Sequence, residues 1–293
     1  MHPARLARVP APLLFVVSGL TQYLGAAFAV ALFDRIAPVG VAWLRIVVAA
    51  LVLLAWRRPW RLVWTRRDLL VAAAFGTALG LMNVTFYLAI AHLPLGTAVA
   101  IEFIGPVAVA AVTGSGWRER AGIALAAVGV VLLAGVTLQL GGPEVRIGLV
   151  AIGAAAVCWA AYILLGRRIA TTDDGVSRLA VAMSAGALLL APVLARSGAP
   201  VLGSWGLVAA VVAVAVLSSV VPYALEQVIL RRVSAATFAV LLALLPATAA
   251  VVGALVLQQW PHGLEVVGLV LVSAAIAITS VRRRPAAEEA VAA

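Results

Sequence analysis

The stretch TAVAIEFIGPVAVAAV, Thr97 to Val112, decides the fold of this chain. Every residue in it is apolar or small except Glu102 and Pro106. A run of this kind, repeated on both sides by others equally greasy, forms helices that pass through an apolar medium. Glu102 and Pro106 then stand out as the two residues such a helix would exclude unless they serve it.

Composition sets the class. Of 293 residues, 65% are hydrophobic and only 11% are charged, against about a quarter charged in soluble domains. That much apolar surface does not fit inside one water-soluble core, so the chain reads as an integral membrane protein with several spans. The formal charge is +10, and all 21 basic residues are arginine. They cluster in short connections between apolar runs, which marks topology and argues against nucleic-acid binding. The single cysteine, Cys158, excludes an intrachain disulfide and a cysteine-based metal site. No P-loop and no HExxH motif is present, and His2, His92 and His262 lie in termini or loops. No cofactor and no enzymatic centre is therefore expected.

Ten spans of about 20 apolar residues can be drawn: 11–33, 37–56, 69–91, 95–114, 121–139, 146–166, 178–196, 205–229, 234–257 and 264–281. The first exceeds a signal-peptide core and reads as a retained span. The longest polar connection runs from Arg57 to Asp68. With both termini cytoplasmic, the inside carries Arg5, Arg8, Arg57, Arg58, Arg61, Arg66, Arg67, Arg118, Arg120, Arg167, Arg168, Arg178, Arg231, Arg232, Arg282, Arg283 and Arg284; the outside carries Arg35, Arg146 and Arg196. This bias is the positive-inside pattern. Trp56, Trp60, Trp64, Trp117, Trp205 and Trp260 fall near span ends, where interfacial aromatics belong.

The opening stretch also has a counterpart. TAVAIEFIGP (97–106) and TFAVLLALLP (237–246) lie 140 residues apart. Five spans separate equivalent positions, so the second half would enter the membrane inverted. The connection after span 4 carries Arg118 and Arg120, while the one after span 9 reads QQWP. The fold expected is an all-α membrane protein of ten transmembrane helices in a 5+5 inverted repeat, an arrangement shared by many secondary transporters. The halves are 1–140 and 141–285, followed by a cytoplasmic tail, 286–293.

On GLTQYLGAAFAVALFDRIAPVGVAWLRIVVAALVLL, AIEFIGPVAVA, CWAAYILLGRR and VPYALEQVILRRVSAATFAVLLALLPA, the chain resembles the EamA-domain branch of the drug/metabolite transporter superfamily. More narrowly, it is similar to the threonine/homoserine exporter (Rht-like) group of the bacterial inner membrane. The resemblance implies two EamA repeats and export of small amino acids or related metabolites. It departs at Leu245, where the family often carries a glutamate before the span-9 proline, so no role of that carboxylate is carried over.

An ionisable side chain deep in the bilayer costs roughly 2.5–3.5 kcal/mol or more, and persists where it faces protein or water. Polar residues within spans are thus the candidate site. Glu102 lies about 10 Å into span 4 at 1.5 Å per residue. Pro106 lacks the N–H that would bond the Glu102 carbonyl. Glu102 reads as a proton carrier or a partner for a substrate ammonium, or as one half of a structural ion pair. Arg45 in span 2 reads as a clamp for a substrate carboxylate, a partner of Glu102, or a snorkelling side chain. Glu226, after a kink at Pro222, reads as a site residue or an ion-pair partner of Arg231. Gln22, Tyr23, Asn83, Thr85, Tyr87, Trp159, Tyr162 and Tyr223 complete a cavity-lining set, with Pro106, Pro222 and Pro246 as helix breaks. Gly76 and Gly80 point to tight helix packing.

The function expected is secondary export of a small amino acid or related metabolite, driven by protons, with the lipid bilayer and a small-molecule substrate as partners. The sequence leaves open export of drugs or aromatic metabolites, a gradient-independent facilitator and, as a different class, an intramembrane enzyme.

Overall fold

The computed structural model describes residues 9–113, 116–140, 142–169, 175–230, 232–233, 237–238 and 241–280. All regular structure among them is helical: α1 (Ala11–Val30), α2 (Pro38–Arg57), α3 (Arg66–Ile90), α4 (Leu95–Glu102), α5 (Ile104–Thr113), α6 (Trp117–Leu140), α7 (Val145–Ile169), α8 (Gly175–Gly198), α9 (Trp205–Ala215), α10 (Val221–Leu230), α11 (Leu244–Leu257) and α12 (Gly263–Ser280). The expected 286–293 tail lies outside the described residues.

Local chemistry sets the helix ends. Pro38 opens α2 at the first helical position, where a missing N–H costs nothing. Arg58 closes it in the left-handed region, φ 49°. The segment from Arg57 to Asp68, expected as a polar loop, is instead two helix ends joined by a 3-10 turn at Pro59–Arg61. The Asp68 N–H donates to Thr65 Oγ1 and the Thr65 N–H donates to Asp68 Oδ2, each at 3.1 Å. This capping box satisfies two otherwise orphan donors of α3.

Among the described residues, six helices are long and apolar enough to cross a membrane: α1, α2, α3, and the segments Arg120–Gln139, Val145–Leu165 and Gly175–Gly203. Shorter apolar segments are Leu95–Ala110, Trp205–Val220, Leu244–Leu257 and Gly263–Thr279. Three of the spans drawn from sequence are broken. Span 4 divides into α4 and α5 at Phe103. In span 9, α11 starts at Leu244 after turn residues Leu242 and Ala243. In span 8, a five-residue π turn, Val216–Val220, separates α9 from α10.

These breaks correct the expected role of the prolines. Pro106, Pro222 and Pro246 are not the points of fracture; each sits in the first turn of the helix that follows. There the absent N–H is harmless. The fracture falls upstream because each proline lacks the N–H that would bond the carbonyl four residues earlier, and its ring crowds that carbonyl.

α3 packs on α7 and α8, α2 on α8, α6 on α12, and α4 on α11. At the α3–α8 crossing, a Cβ on Gly76 would enter the Ala182 carbonyl, and a Cβ on Gly186 would enter Gly76. Only a pair of residues without side chains lets the two backbones meet this closely. Gly76→Val is therefore expected to lower the thermal midpoint of the detergent-solubilised protein, by an overpacking cost of about 1–3 kcal/mol. Gly135→Val, at a position with nothing within 4 Å, is the control expected to leave it nearly unchanged. Arg178 of α8 and Asp68 of α3 form an ion pair at 2.9 Å that ties the same two helices at one end.

The outer surface carries many exposed large apolar residues, among them Leu51, Val131, Val150, Leu188, Val193 and Val270. Such a surface is unsuited to water and fits hydrocarbon. Trp56, Trp60, Trp117, Trp205 and Trp260 are exposed near helix ends, as a membrane-interface belt requires.

Candidate functional site

The broken helices, with α1, α2, α3 and α7, surround an internal cavity of about 310 Å³. α1 contributes Gln22, Tyr23 and Ala26; α2 contributes Arg45; α3 contributes Leu79, Met82, Asn83 and Phe86. Glu102 and Pro106 enter from the two sides of the α4–α5 break, and Trp159, Tyr162 and Ile163 from α7. Ser218 comes from the π turn, Pro222 and Glu226 from α10, and Phe238, Leu242 and Leu245 from the chain leading into α11. Breaking three spans at mid-depth turns polar groups that would otherwise meet lipid toward one chamber.

Arg45 is pinned rather than free. Its Nη1 donates to the Tyr87 hydroxyl at 3.1 Å and its Nη2 donates to Asn83 Oδ1. The guanidinium carbon lies 5.2 Å from the Tyr87 ring centroid, within cation–π range. Asn83 is itself fixed, donating from Nδ2 to the Leu79 carbonyl at 2.8 Å. The Arg45 Nε is buried without a hydrogen-bond partner. A buried donor left unpaired is costly, and among the described residues nothing offsets that cost at Nε, which is closed off from the chamber.

The carboxylates are likewise uncommitted. Glu102, the last residue of α4, is 7% exposed. Among the described residues neither Glu102 nor Glu226 has a hydrogen-bond or ion-pair partner, and Arg45 forms no ion pair within 4 Å. Arg45 and Glu102 thus share a cavity without locking together, and Arg45 does not snorkel away from it. Arg231, the other expected partner of Glu226, lies outside the described residues.

Of the residues singled out in sequence, Gln22, Tyr23, Arg45, Asn83, Glu102, Pro106, Trp159, Tyr162, Pro222 and Glu226 meet in this cavity. Tyr87 is fully buried and does not line it; it holds Arg45 from behind. Pro246 also lies off the cavity wall, one residue past Leu245. Thr85 bonds to the Leu81 carbonyl of its own helix at 2.8 Å and takes no part. The Tyr223 side chain lies outside the described residues. Met82, Phe86 and Phe238 line the wall and carried no sequence signal, because an apolar residue facing a cavity looks like one facing lipid. Trp159 meets Phe103 edge-on at 4.6 Å, so the turn residue between α4 and α5 rests on an aromatic of α7.

A sequence profile of the EamA-like transporter family matches residues 146–281. The chain is 35% identical over 263 residues to the threonine/homoserine exporter RhtA of Salmonella typhimurium, covering 89% of this chain and 88% of that one. It is 34% identical over 280 residues to the threonine/homoserine exporter RhtA of Escherichia coli strain K12, covering 93% of each. A solved crystal structure of a protein shares the fold with a TM-score of 0.56 at 19% identity, over 92% of this chain and 95% of that one. A lipid-facing bundle around a polar chamber, with whole-chain likeness to these exporters, settles the class: the chain belongs to the EamA-like transporter family and is a multi-pass membrane transporter, not an enzyme.

Proposed function

We propose that this protein exports small hydrophilic amino acids of the threonine and homoserine type across the bacterial inner membrane, as a secondary transporter coupled to protons. The observation that carries the proposal is the chamber holding a pinned guanidinium and two carboxylates without a hydrogen-bond or ion-pair partner among the described residues. A zwitterion needs one partner of each sign. Arg45 offers its guanidinium, at the cavity wall, to the substrate carboxylate, and the cavity carboxylates answer the ammonium. A volume of about 310 Å³ is at the bottom of the range of about 300–1,000 Å³ for small-molecule pockets, a size suited to a small amino acid. The names of the relatives point the same way.

In this proposal ten spans form two inverted repeats, 1–140 and 141–285, with both termini cytoplasmic. The six long apolar helices and the four shorter apolar segments supply that number. The breaks support the repeat, because Phe103 and Ala243, each three residues ahead of its proline, are again 140 residues apart. The 140-residue offset pairs Glu102 with Leu242, which carries no acid, so proton carriage belongs to one half. As a proton enters, Glu102 takes it; as substrate leaves, the carboxyl is neutral and releases the ammonium.

The test is flux from proteoliposomes loaded with labelled threonine under an imposed pH gradient. External acid should speed efflux. Efflux equal in both directions of the gradient would make the protein a facilitator. Flux of aromatic compounds in place of threonine would reassign the substrate.

A further inference from the structure

A second cavity, of about 360 Å³, lies at the other end of the α4–α11 pair. Gly96 and Thr97, from the first turn of α4, line it together with Ala250 of α11. The central cavity uses the opposite ends of the same two helices, at Glu102 and Leu245. Between the cavities the helices touch. A Cβ on Gly96 would lie 2.8 Å from the Ala250 Cα, and Ala98, Val99, Ala249 and Val252 are buried in the seam. No polar solute crosses such a contact while it is closed.

One side chain ties the seam shut. α11 ends in a left-handed turn at Gln258, φ 56°. The Gln259 N–H bonds back to the Gly253 carbonyl at 2.9 Å, which fixes the turn. Gln259 Oε1 then accepts the Leu95 N–H of α4 at 2.9 Å. That N–H belongs to the first turn of α4, where amides have no intrahelical partner. The loop after one broken helix thus caps the other, across the two halves of the chain.

We infer that the α4–α11 seam is the outer gate, with Gln259 as its latch, and that the second cavity is the vestibule receiving the exported amino acid. The inference rests on the export function proposed above. The vestibule suits a zwitterion: the buried Glu265 takes the His262 N–H on Oε2 at 2.8 Å, and its other oxygen is without a partner among the described residues and can meet an ammonium.

A Cβ on Gly253 would lie 3.6 Å from the Leu95 Cβ, inside the range of about 3.5–4.5 Å that a disulfide needs. In a Cys158→Ser background, Leu95→Cys with Gly253→Cys should therefore cross-link the gate. Oxidised protein in proteoliposomes should lose threonine efflux to the level of protein-free vesicles. It should still bind labelled threonine in detergent with its parent affinity, and reduction should restore flux. Efflux at equal rates in oxidised and reduced protein overturns the gate. Absence of threonine flux in the wild type and the reduced variant overturns the export function itself, and the gate with it. Gln259→Leu gives an independent reading without a cross-link. Loss of one hydrogen bond should favour the opened seam about fivefold, so external threonine should inhibit efflux at about fivefold lower concentration. An unchanged inhibition constant overturns the latch.

Discussion

Glu102→Gln is expected to make threonine efflux indifferent to an imposed pH gradient while leaving the protein folded and able to bind substrate. Glutamine keeps the shape and hydrogen-bonding reach of the side chain and removes the site that takes up and gives back a proton. In the structure this carboxyl has no hydrogen-bond or ion-pair partner among the described residues, although it is buried at the end of α4. An ionisable group at that depth costs roughly 2.5–3.5 kcal/mol or more, and the Arg45 charge in the same cavity offsets only part of it. Structural carboxylates are held by hydrogen bonds or ion pairs; among the described residues this one makes neither, which suits a group that must change state in each cycle. One pH unit is worth about 1.4 kcal/mol per proton, or a factor of about ten in the substrate gradient it sustains. The wild type should show that dependence for one-to-one exchange, and the variant should show a ratio near one. Glu226→Gln is the companion. Glu226 lines the same cavity, but on α10, away from the α4–α5 break, and it should keep the pH dependence. If Glu102→Gln retains the full gradient response, Glu102 does not carry the proton.

The sequence announces this site unevenly, for physical reasons. Glu102, Arg45 and Asn83 are legible because a polar group in a lipid-depth run is expensive and must have a reason to persist. Trp159 and Tyr162 are legible more weakly, through their mixed character. Met82, Phe86 and Phe238 are silent, since an apolar side chain carries the same signal whether it faces lipid, a neighbour or a chamber. Tyr87 shows the limit of spacing. Its offset of four from Asn83 puts both on one helix face, and both do grip Arg45. Spacing does not say that Tyr87 lies beneath the guanidinium instead of beside the cavity. The prolines reveal that breaks exist and misplace them by a few residues, because a proline marks the start of the next helix as readily as the end of the last. The apolar runs give the overall helical architecture directly. Which helices pack together depends on complementary notches such as Gly76 against Gly186, and these become visible only when both surfaces are in place.

Arg45→Ala is expected to raise the threonine concentration for half-maximal transport on the order of 100-fold, with the loss falling on binding. A hydrogen bond to a charged group contributes about 1.5–3 kcal/mol, so even one lost contact approaches this factor. The arginine is held by hydrogen bonds to two neighbours: Tyr87 through its hydroxyl at 3.1 Å, with its ring alongside, and Asn83 through Oδ1. They fix the fork at the cavity wall, and a carboxylate is the ligand that its charge and donors suit. Arg45→Lys separates charge from geometry. A lysine restores the positive charge but not the planar fork, so it should recover part of the affinity and leave a deficit of about tenfold, one hydrogen bond's worth. Tyr87→Phe tests the brace without touching the cavity wall. It keeps the ring under the guanidinium and removes one acceptor, so affinity should fall less than in Arg45→Ala and the pH response should remain. The decisive comparison uses threonine against its decarboxylated amine. Wild-type protein should prefer the amino acid strongly, and Arg45→Ala should lose that preference. If both proteins discriminate equally, the substrate carboxylate is recognised elsewhere and Arg45 serves only the fold.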